Sequence, residues 1–512
     1  MAVFVVRRLI VSFFILLAST FLIYTLVAVS GDPLGDLRTD TSPNRQQKID
    51  ARTEKLHLDQ PIPARYVIWI SGAAKCAVPG QDCDLGEAKN GQDVSALLGT
   101  AVSSTLRLVA AATILAILLG VSIGIISALR QYSGFDYSIT LMAFLFFSLP
   151  IFWVAVLLKQ YMAIQVNDWY RDPKVGLVTS LVLGALSALT WGAIIGGSAQ
   201  RRWVVRAVAF VASVGALLAM SASGWFKFPA LGPGLITVLS LGAAVGVAAL
   251  VAGLVRRNVL YACLATAAVG CVAQFFVTPW LRDPKWASWT NLLALLVVAV
   301  VVAVAIGWAL GGLDKGQAIR ATVITAVVTG LVIVVDIALR TVNPYARLVN
   351  GRIFATTGSE TPNFTGTFWE GQLDLLTHLI LPTIAIMLIS FAGYSRFSRA
   401  SMLEVMNADF VRTARSKGLT ERTVVMRHAF RNALIPVTTL MAFDFGALLG
   451  GAVITETVFA RRGMGSLFVT GLSQVDPNPV MGFYIVTAVS IVIFNMIADI
   501  GYAYLDPRIR LS

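Results

Sequence analysis

Charge is scarce in this chain. Asp, Glu, Lys and Arg make up 13% of its 512 residues, 57% are hydrophobic, and mean hydropathy is +0.77. A soluble domain carries about a quarter of its residues charged. The composition therefore argues against a water-surrounded fold and for a polytopic membrane protein. Histidine is scarcer still, with only His57, His378 and His428. No cysteine pair has zinc-ligand company, and no histidine lies mid-membrane to line a path for a metal ion. Lysine occurs ten times and never after a glycine, which removes the phosphate-binding loop GxxxxGK[ST]. If ATP drives this protein, another chain binds it. No HExxH, GxSxG or nucleophile–base pattern sits at a plausible site, so an intramembrane enzyme has little support. No aromatic-and-basic cluster resembles an RNA-binding motif, and nucleic acid is set aside.

Cysteine is also rare, with four in all. Cys263 and Cys271 lie in an apolar run and read as small packing residues. Cys76 and Cys83 lie in the polar segment "KCAVPGQDC". Whether they form an extracytoplasmic disulfide depends on which side this loop faces.

Long apolar runs, by contrast, are plentiful. Arg7 and Arg8 precede a run from Leu9 to Val29. A cleaved signal is one reading, but the run has the length of a spanning helix, about 20 residues. The expectation is an uncleaved first span with its N-terminus inside. Further runs follow at Leu108–Leu129, Ile139–Leu158, Val175–Ile195, Ala207–Ala222, Leu235–Leu254, Val259–Val277, Leu292–Leu310, Ala321–Leu339, Leu375–Ala392, Ala433–Val453 and Phe483–Ala503. The expected fold is all-α with about twelve spans. Alternation from an inside N-terminus puts Arg130–Ser138, Arg201–Arg206, Arg256 and Arg257, Lys315–Arg320, Arg396–Asn432 and the tail "DPRIRLS" in the cytoplasm. All are basic, as the positive-inside rule requires. Ser30–Thr100 falls outside and is long and mixed in charge.

A repeat occupies the middle of the chain. "WYRDPK" starts at Trp169, "WFKFPA" at Trp225 and "WLRDPK" at Trp280, at steps of 56 and 55 residues. Arg201/Arg202 and Arg256/Arg257 keep the 55-residue step. Three duplicated hairpins of two helices each are one explanation. Convergence is the other, because outer turns favour Trp at the membrane interface.

The basic stretch "ADFVRTARSKGLTERTVVMRHAFRNALIP" begins at Ala408. It is too long for a hairpin turn. Its break at Gly418 reads as two short helices, the second opened by Thr420 and Glu421. Arg427 and Arg431 share a face at spacing four. Such an elbow suits a groove on a soluble partner, although positive-inside anchoring alone would also account for the charge.

These residues resemble a family. From Tyr394, "YSRFSRASMLEVMNADFVRTARSKGLTERTVVMRHAFRNALIP" is similar to the cytoplasmic loop of bacterial oligopeptide/dipeptide ABC-transporter permeases. The similarity continues through "GALLGGAVITETVFARRGMGSL", "DPNPVMG" and "YAYLDPRIR", and includes "SGDP", "LDQPIPARYVIWI", "SSTLRL" and "HLILPT" upstream. It covers 1–165 and about 346–512, in the right order, but not 166–345. The resemblance implies a six-helix importer core divided by about six inserted helices. It also implies a second permease, two ATPases that bind ATP and Mg, and an extracytoplasmic binding protein. The chain would then lie in the bacterial inner membrane with both termini cytoplasmic, hold no cofactor and not be an enzyme. In such permeases the loop is a coupling helix with Glu-Ala-Ala and then Gly four residues on. Ala414 and Gly418 match the last two, while Arg412 and Thr413 replace Glu-Ala. Arg412, Ala414, Arg415, Gly418, Leu419, Glu421 and Arg427 are the expected coupling residues, with the small pair Ala414 and Gly418 allowing close approach to the partner.

Inside the membrane, Asp444 lies near the middle of its span, where a carboxylate lines a cavity or meets a partner side chain. It either faces the translocation path or is hydrogen-bonded between helices. Asp336 and Arg340 read as a local pair. Lys159 is placed to snorkel, and Pro150 and Pro382 to kink their helices. The expected function is the permease of a peptide importer. The alternatives are an importer of nickel or another small solute, or a scaffold whose inserted helices bind lipid or a partner protein.

Overall fold

An apolar backbone in lipid must satisfy its own hydrogen bonds, which favours helices. The computed structural model describes residues 2–76, 78–80, 82–195 and 197–505. The chain is an all-α polytopic membrane protein, and among the described residues the one β feature is a bridge between Glu87 and Asp93. The tail "DPRIRLS" lies outside them.

The helices begin with α1 (Ala2–Val29), α2 (Gly35–Arg38), α3 (Arg45–Lys55), α4 (Ile62–Lys75), α5 (Val94–Leu129), α6 (Gly134–Ser148), α7 (Ile151–Leu158) and α8 (Gln165–Tyr170). Next come α9 (Leu177–Ile195), α10 (Ala199–Ala222), α11 (Gly232–Val251), α12 (Arg257–Arg282), α13 (Trp289–Leu310) and α14 (Lys315–Leu348). The chain closes with α15 (Phe368–Met406), α16 (Asp409–Ser416), α17 (Glu421–Thr423), α18 (Phe430–Gly451), α19 (Val453–Val458), α20 (Met464–Ser473) and α21 (Pro477–Leu505). Turns of π-helix at Lys159–Ile164 and Val424–Ala429 join α7 to α8 and α17 to α18.

Ten helices among the described residues are long and apolar enough to span a bilayer, or eleven if one bent pair is a single span. Ten of the expected runs coincide with them. The run Ala433–Val453 falls on α18, several of whose side chains lie outside the described residues. The run Ile139–Leu158 is not one straight helix: it is divided between α6 and α7, which meet at 102° as a broken span or a re-entrant loop. Pro150 has no N–H to give and pushes Leu149 to an extended ψ of 126°. It breaks the helix rather than kinking it. Pro382, in contrast, sits within an uninterrupted α15.

Contacts divide the chain into two compact units. The first comprises 1–160, 356–359 and 379–512. Its centre is the meeting of α5 with α15. The Asp93 carboxylate starts α5 by accepting from the N–H of Ser95 and Ala96 at 3.1 and 3.3 Å. Ala112, Ala116, Gly120 and Gly124 then form a buried stripe at spacing four. A Cβ on Gly120 would lie 2.6 Å from that of Tyr394, and one on Gly124 2.5 Å from the Ser395 carbonyl oxygen. The small residues are what let α15 lie so close. Asp136, at the start of α6, locks the pair. It accepts from Ser127 Oγ at 2.5 Å and from Arg399 Nε and Nη2 at 2.7 and 3.0 Å. Lys159 does not snorkel: its ammonium donates to the Val458 carbonyl at the end of α19, 3.1 Å away.

The second unit comprises 161–355 and 360–378. Its helices pair as the repeat predicts, α9 with α10, α11 with α12 and α13 with α14. The pairs are not equivalent, however. α14 packs on α11 and α12 about as closely as those two pack on each other, so the last two pairs form one four-helix cluster. Cys263 and Cys271 are buried free thiols within α12, as expected of packing residues. α9 and α10 pack mainly on each other, with Gly184 against Val214 and a 2.8 Å bond from Ser213 to Ser187. The repeat is legible in its turns. The Trp169 indole N–H donates to the Lys174 carbonyl at 2.9 Å, and that of Trp225 to Ala230 at 2.7 Å, each five residues on. In the third copy α12 runs on to Arg282 and Trp280 stacks on Trp286. The Asp336–Arg340 pair is present at 2.7 Å, and Asp336 also accepts from the N–H of Leu231 and Gly232 at the start of α11.

Candidate functional site

Two backbone positions dictate how the basic stretch folds. Ala408 is extended, with φ −70° and ψ 149°, and releases the chain from α15 into α16. Gly418 takes φ +74°, where a side chain brings strain. Its N–H donates to the Arg415 carbonyl at 2.9 Å, closing the turn after α16. A Cβ there would meet nothing within 4 Å. Gly418 is therefore a turn residue beyond the end of α16, not a member of one helix face with Ala414. Ala414 is buried with Val411 against Met402, Val424, Ala429 and Ala433 of its own chain. Its small size serves internal packing, while Phe410, Arg412 and Arg415 occupy the outer face.

The second short helix is corrected too, because Glu421–Gly451 is continuous through its π turn. The wider π turn removes the basis for placing Arg427 and Arg431 on one face by four-residue spacing. Both are exposed. Arg415 and Glu421 pair across Gly418 at 2.7 Å, and this bond holds the Glu421 carboxyl below its usual range. Arg412 lies 3.5 Å from Asp409. Phe410, Leu419 and Met426 are exposed among these charges. Three exposed apolar side chains on one basic turn make it a candidate surface for meeting another molecule.

Asp444 is half-buried on α18, beside the buried Tyr394 of α15. The carboxylate thus has a phenol for a neighbour. Cys76 and Cys83 are bonded, with sulfurs 2.04 Å apart, at the end of α4.

Two further acids, Glu456 and Asp476, tie segments of the first unit together. Glu456 is buried on α19. It accepts from Thr105 on α5 at 2.6 Å and from the N–H of Gly465 and Ser466 at 2.8 and 3.1 Å. A carboxylate at the start of α20 complements the helix dipole there. Asp476 accepts from the Lys89 N–H at 2.6 Å, and Asn478 donates to the Glu87 carbonyl at 2.8 Å. The motif "DPNPVMG" thereby clasps the polar segment before α5. Burial pushes the Asp476 carboxyl up and the Lys89 ammonium down. The available signal was a lone acid inside an otherwise apolar motif.

The family described as "Binding-protein-dependent transport system inner membrane component" matches residues 120–511. An oligopeptide transport system permease protein of Mycobacterium tuberculosis, OppB, is 25% identical over 509 residues, 99% of each chain. The dipeptide permease DppB of Escherichia coli is 33% identical over 253 residues, and the oligopeptide permease AppB of Bacillus subtilis 41% over 162. The match to DppB takes up 74% of that protein but 45% of this chain, which is therefore the longer of the two.

Proposed function

We propose a function from one premise: this chain belongs to the family of binding-protein-dependent transport system inner membrane components. It is the permease subunit of an ATP-driven ABC importer, and it forms half of a path for di- and oligopeptides. The peptide class is supported by the names of its relatives, which are oligopeptide and dipeptide permeases. A second permease supplies the other half of the path. Two ATPases bind ATP and Mg, and an extracytoplasmic binding protein delivers cargo. The chain itself carries no catalysis. It lies in the bacterial inner membrane with both termini cytoplasmic, an orientation supported by the basic character of alternate connections.

One observation carries the coupling. The turn from Asp409 to Arg427 buries Val411 and Ala414 in its own helices and exposes Phe410, Leu419 and Met426 among bases. A face anchored inward moves with the core helices, and a face displayed outward receives the ATPase. Arg412, Arg415, Glu421 and Arg427 then set charge complementarity around the apolar contacts. Asp444, beside Tyr394, lines the path and meets a positive group on the cargo.

The test is co-purification of ATPase subunits, identified by mass spectrometry. The native chain is compared with Phe410→Asp and Met426→Asp variants matched for membrane insertion. Loss of the ATPases from the variants is expected. Full retention in both would refute coupling through this turn.

A further inference from the structure

Two turns of the second unit meet at one place. Arg256, between α11 and α12, donates to Asp314 and, at 3.1 Å, to Gln317 of the turn between α13 and α14. A Cβ on Gly312 would lie 2.6 Å from the Asn258 amide nitrogen. The two turns are therefore a single surface.

That surface has two chemistries. Leu254, Val255 and Leu313 stand out from it, Val255 at 94% exposed and Leu313 fully exposed. Around them Arg257, Lys315 and Arg320 are exposed and make no ion pair among the described residues. The acid of these turns, Asp314, is occupied by Arg256. The Lys315 ammonium lies 4.7 Å over the exposed Trp308 ring.

Neither water nor hydrocarbon alone suits such a surface. Water leaves Val255 and Leu313 uncovered, at a cost of about 25 cal/mol for each Å² of apolar area. Hydrocarbon would strand three unpaired bases. The boundary of a leaflet supplies both covers, with acyl chain on one side and phosphate on the other. Trp is the side chain that favours this boundary.

We propose that the paired turns bind the headgroup of an anionic phospholipid. Leu254, Val255 and Leu313 enter the upper acyl layer, while Arg257, Lys315 and Arg320 hold the phosphate. The charge balance selects an anionic over a zwitterionic lipid, because every base but Arg256 is unpaired and no acid is. The outer turns of the same unit mix signs, with Asp168, Asp172 and Asp283 beside their bases. The proposal rests on the orientation given above, which puts these turns at the cytoplasmic leaflet.

The experiment uses full-length protein in phosphatidylcholine bilayers that contain a minor fraction of brominated phosphatidylglycerol or brominated phosphatidylcholine. Bromine quenches nearby indoles, and the Trp308 share is the difference between the native chain and Trp308→Phe. Stronger quenching by the anionic lipid is expected. Arg257→Gln and Lys315→Gln should each reduce that preference about fivefold. Arg320→Gln serves as a second test should either variant fold poorly. Equal quenching by the two lipids, an unchanged preference in the variants, or displacement by inorganic phosphate would each overturn the proposal. Labelling of Leu313→Cys by an impermeant thiol reagent in intact cells would show instead that the orientation is wrong.

Discussion

Half of the most apolar window of α15 and 44% of that of α5 are buried, against 17% for α9 and none for α10. The residues differ in kind as well as in degree. Around α5 and α15 carboxylates are buried: Asp136, paired with the partly exposed Arg399, and Glu456, bonded to Thr105. The α9–α10 pair is held instead by small contacts, Gly184 on Val214 and Ser213 to Ser187, whereas α14 of the second unit buries Asp336 beside Arg340 much as the first unit buries Asp136. Buried charge is expensive in a membrane and persists where helices must be held in one arrangement or moved between two. Small residues suffice where helices only pack. On the function proposed above, α5 and α15 are expected to belong to the transporting core and the α9–α10 pair to serve an accessory role.

The largest effect should come from breaking the Asp136–Arg399 pair. Arg399→Met leaves a buried carboxylate without its counter-charge, a loss of about 3–5 kcal/mol. Thermal unfolding of the purified complex should show it, and Asp136→Asn in the same chain should restore much of it. A single variant as stable as the native protein would show that the pair does not hold α5 to α15. Next is Gly418. Because its φ is +74°, Gly418→Val should cost about 1–2 kcal/mol at the turn and reduce ATP-driven uptake at normal insertion. Gly418→Asn should be tolerated. If both behaved alike, the requirement would be for space and not for conformation.

In the second unit, Thr322→Val removes a 2.8 Å bond to the Ala303 carbonyl. The expected loss is only about 0.6 kcal/mol, with uptake unchanged. A large uptake defect would bring the module into the pathway. Smallest is an acid effect on the polar segment before α5. Asp40 is held down to about 2, below its ordinary 3.8, by its bonds to Lys48 and Ser42. A carboxyl lowered by folding stabilises the fold above 3.8 and loses that contribution as pH falls toward 2. Proteolysis within Arg45–Lys55 should therefore begin to rise only below 3.8. Cleavage already rising well above that value would show that these bonds do not hold the segment.

The sequence made the spans legible because crossing a bilayer demands only length and apolarity, which single residues carry. It made the repeat legible because Trp169 and Trp225 close their turns locally, five residues on. What it hid depends on partners distant in sequence. Ala414 looks like a contact residue until Val424 and Ala433 are seen to cover it. Glu456 looks like a turn acid until Thr105, 351 residues away, is seen to donate to it. The break at Pro150 was visible as a proline but not as a 102° bend, since many spanning helices satisfy the freed groups and continue.

The most direct test removes the second unit's helices. Asn167 bridges the N–H and carbonyl of Phe354, and Tyr345 donates to Asp374. The deletion should keep these by joining Tyr170 to Asn343 through a short polar linker. Uptake of labelled peptide is then measured in reconstituted native and deleted complexes, matched for ATPase content. ATP-dependent uptake is expected in both. Fully assembled deleted complexes that hydrolyse ATP yet transport nothing would contradict it.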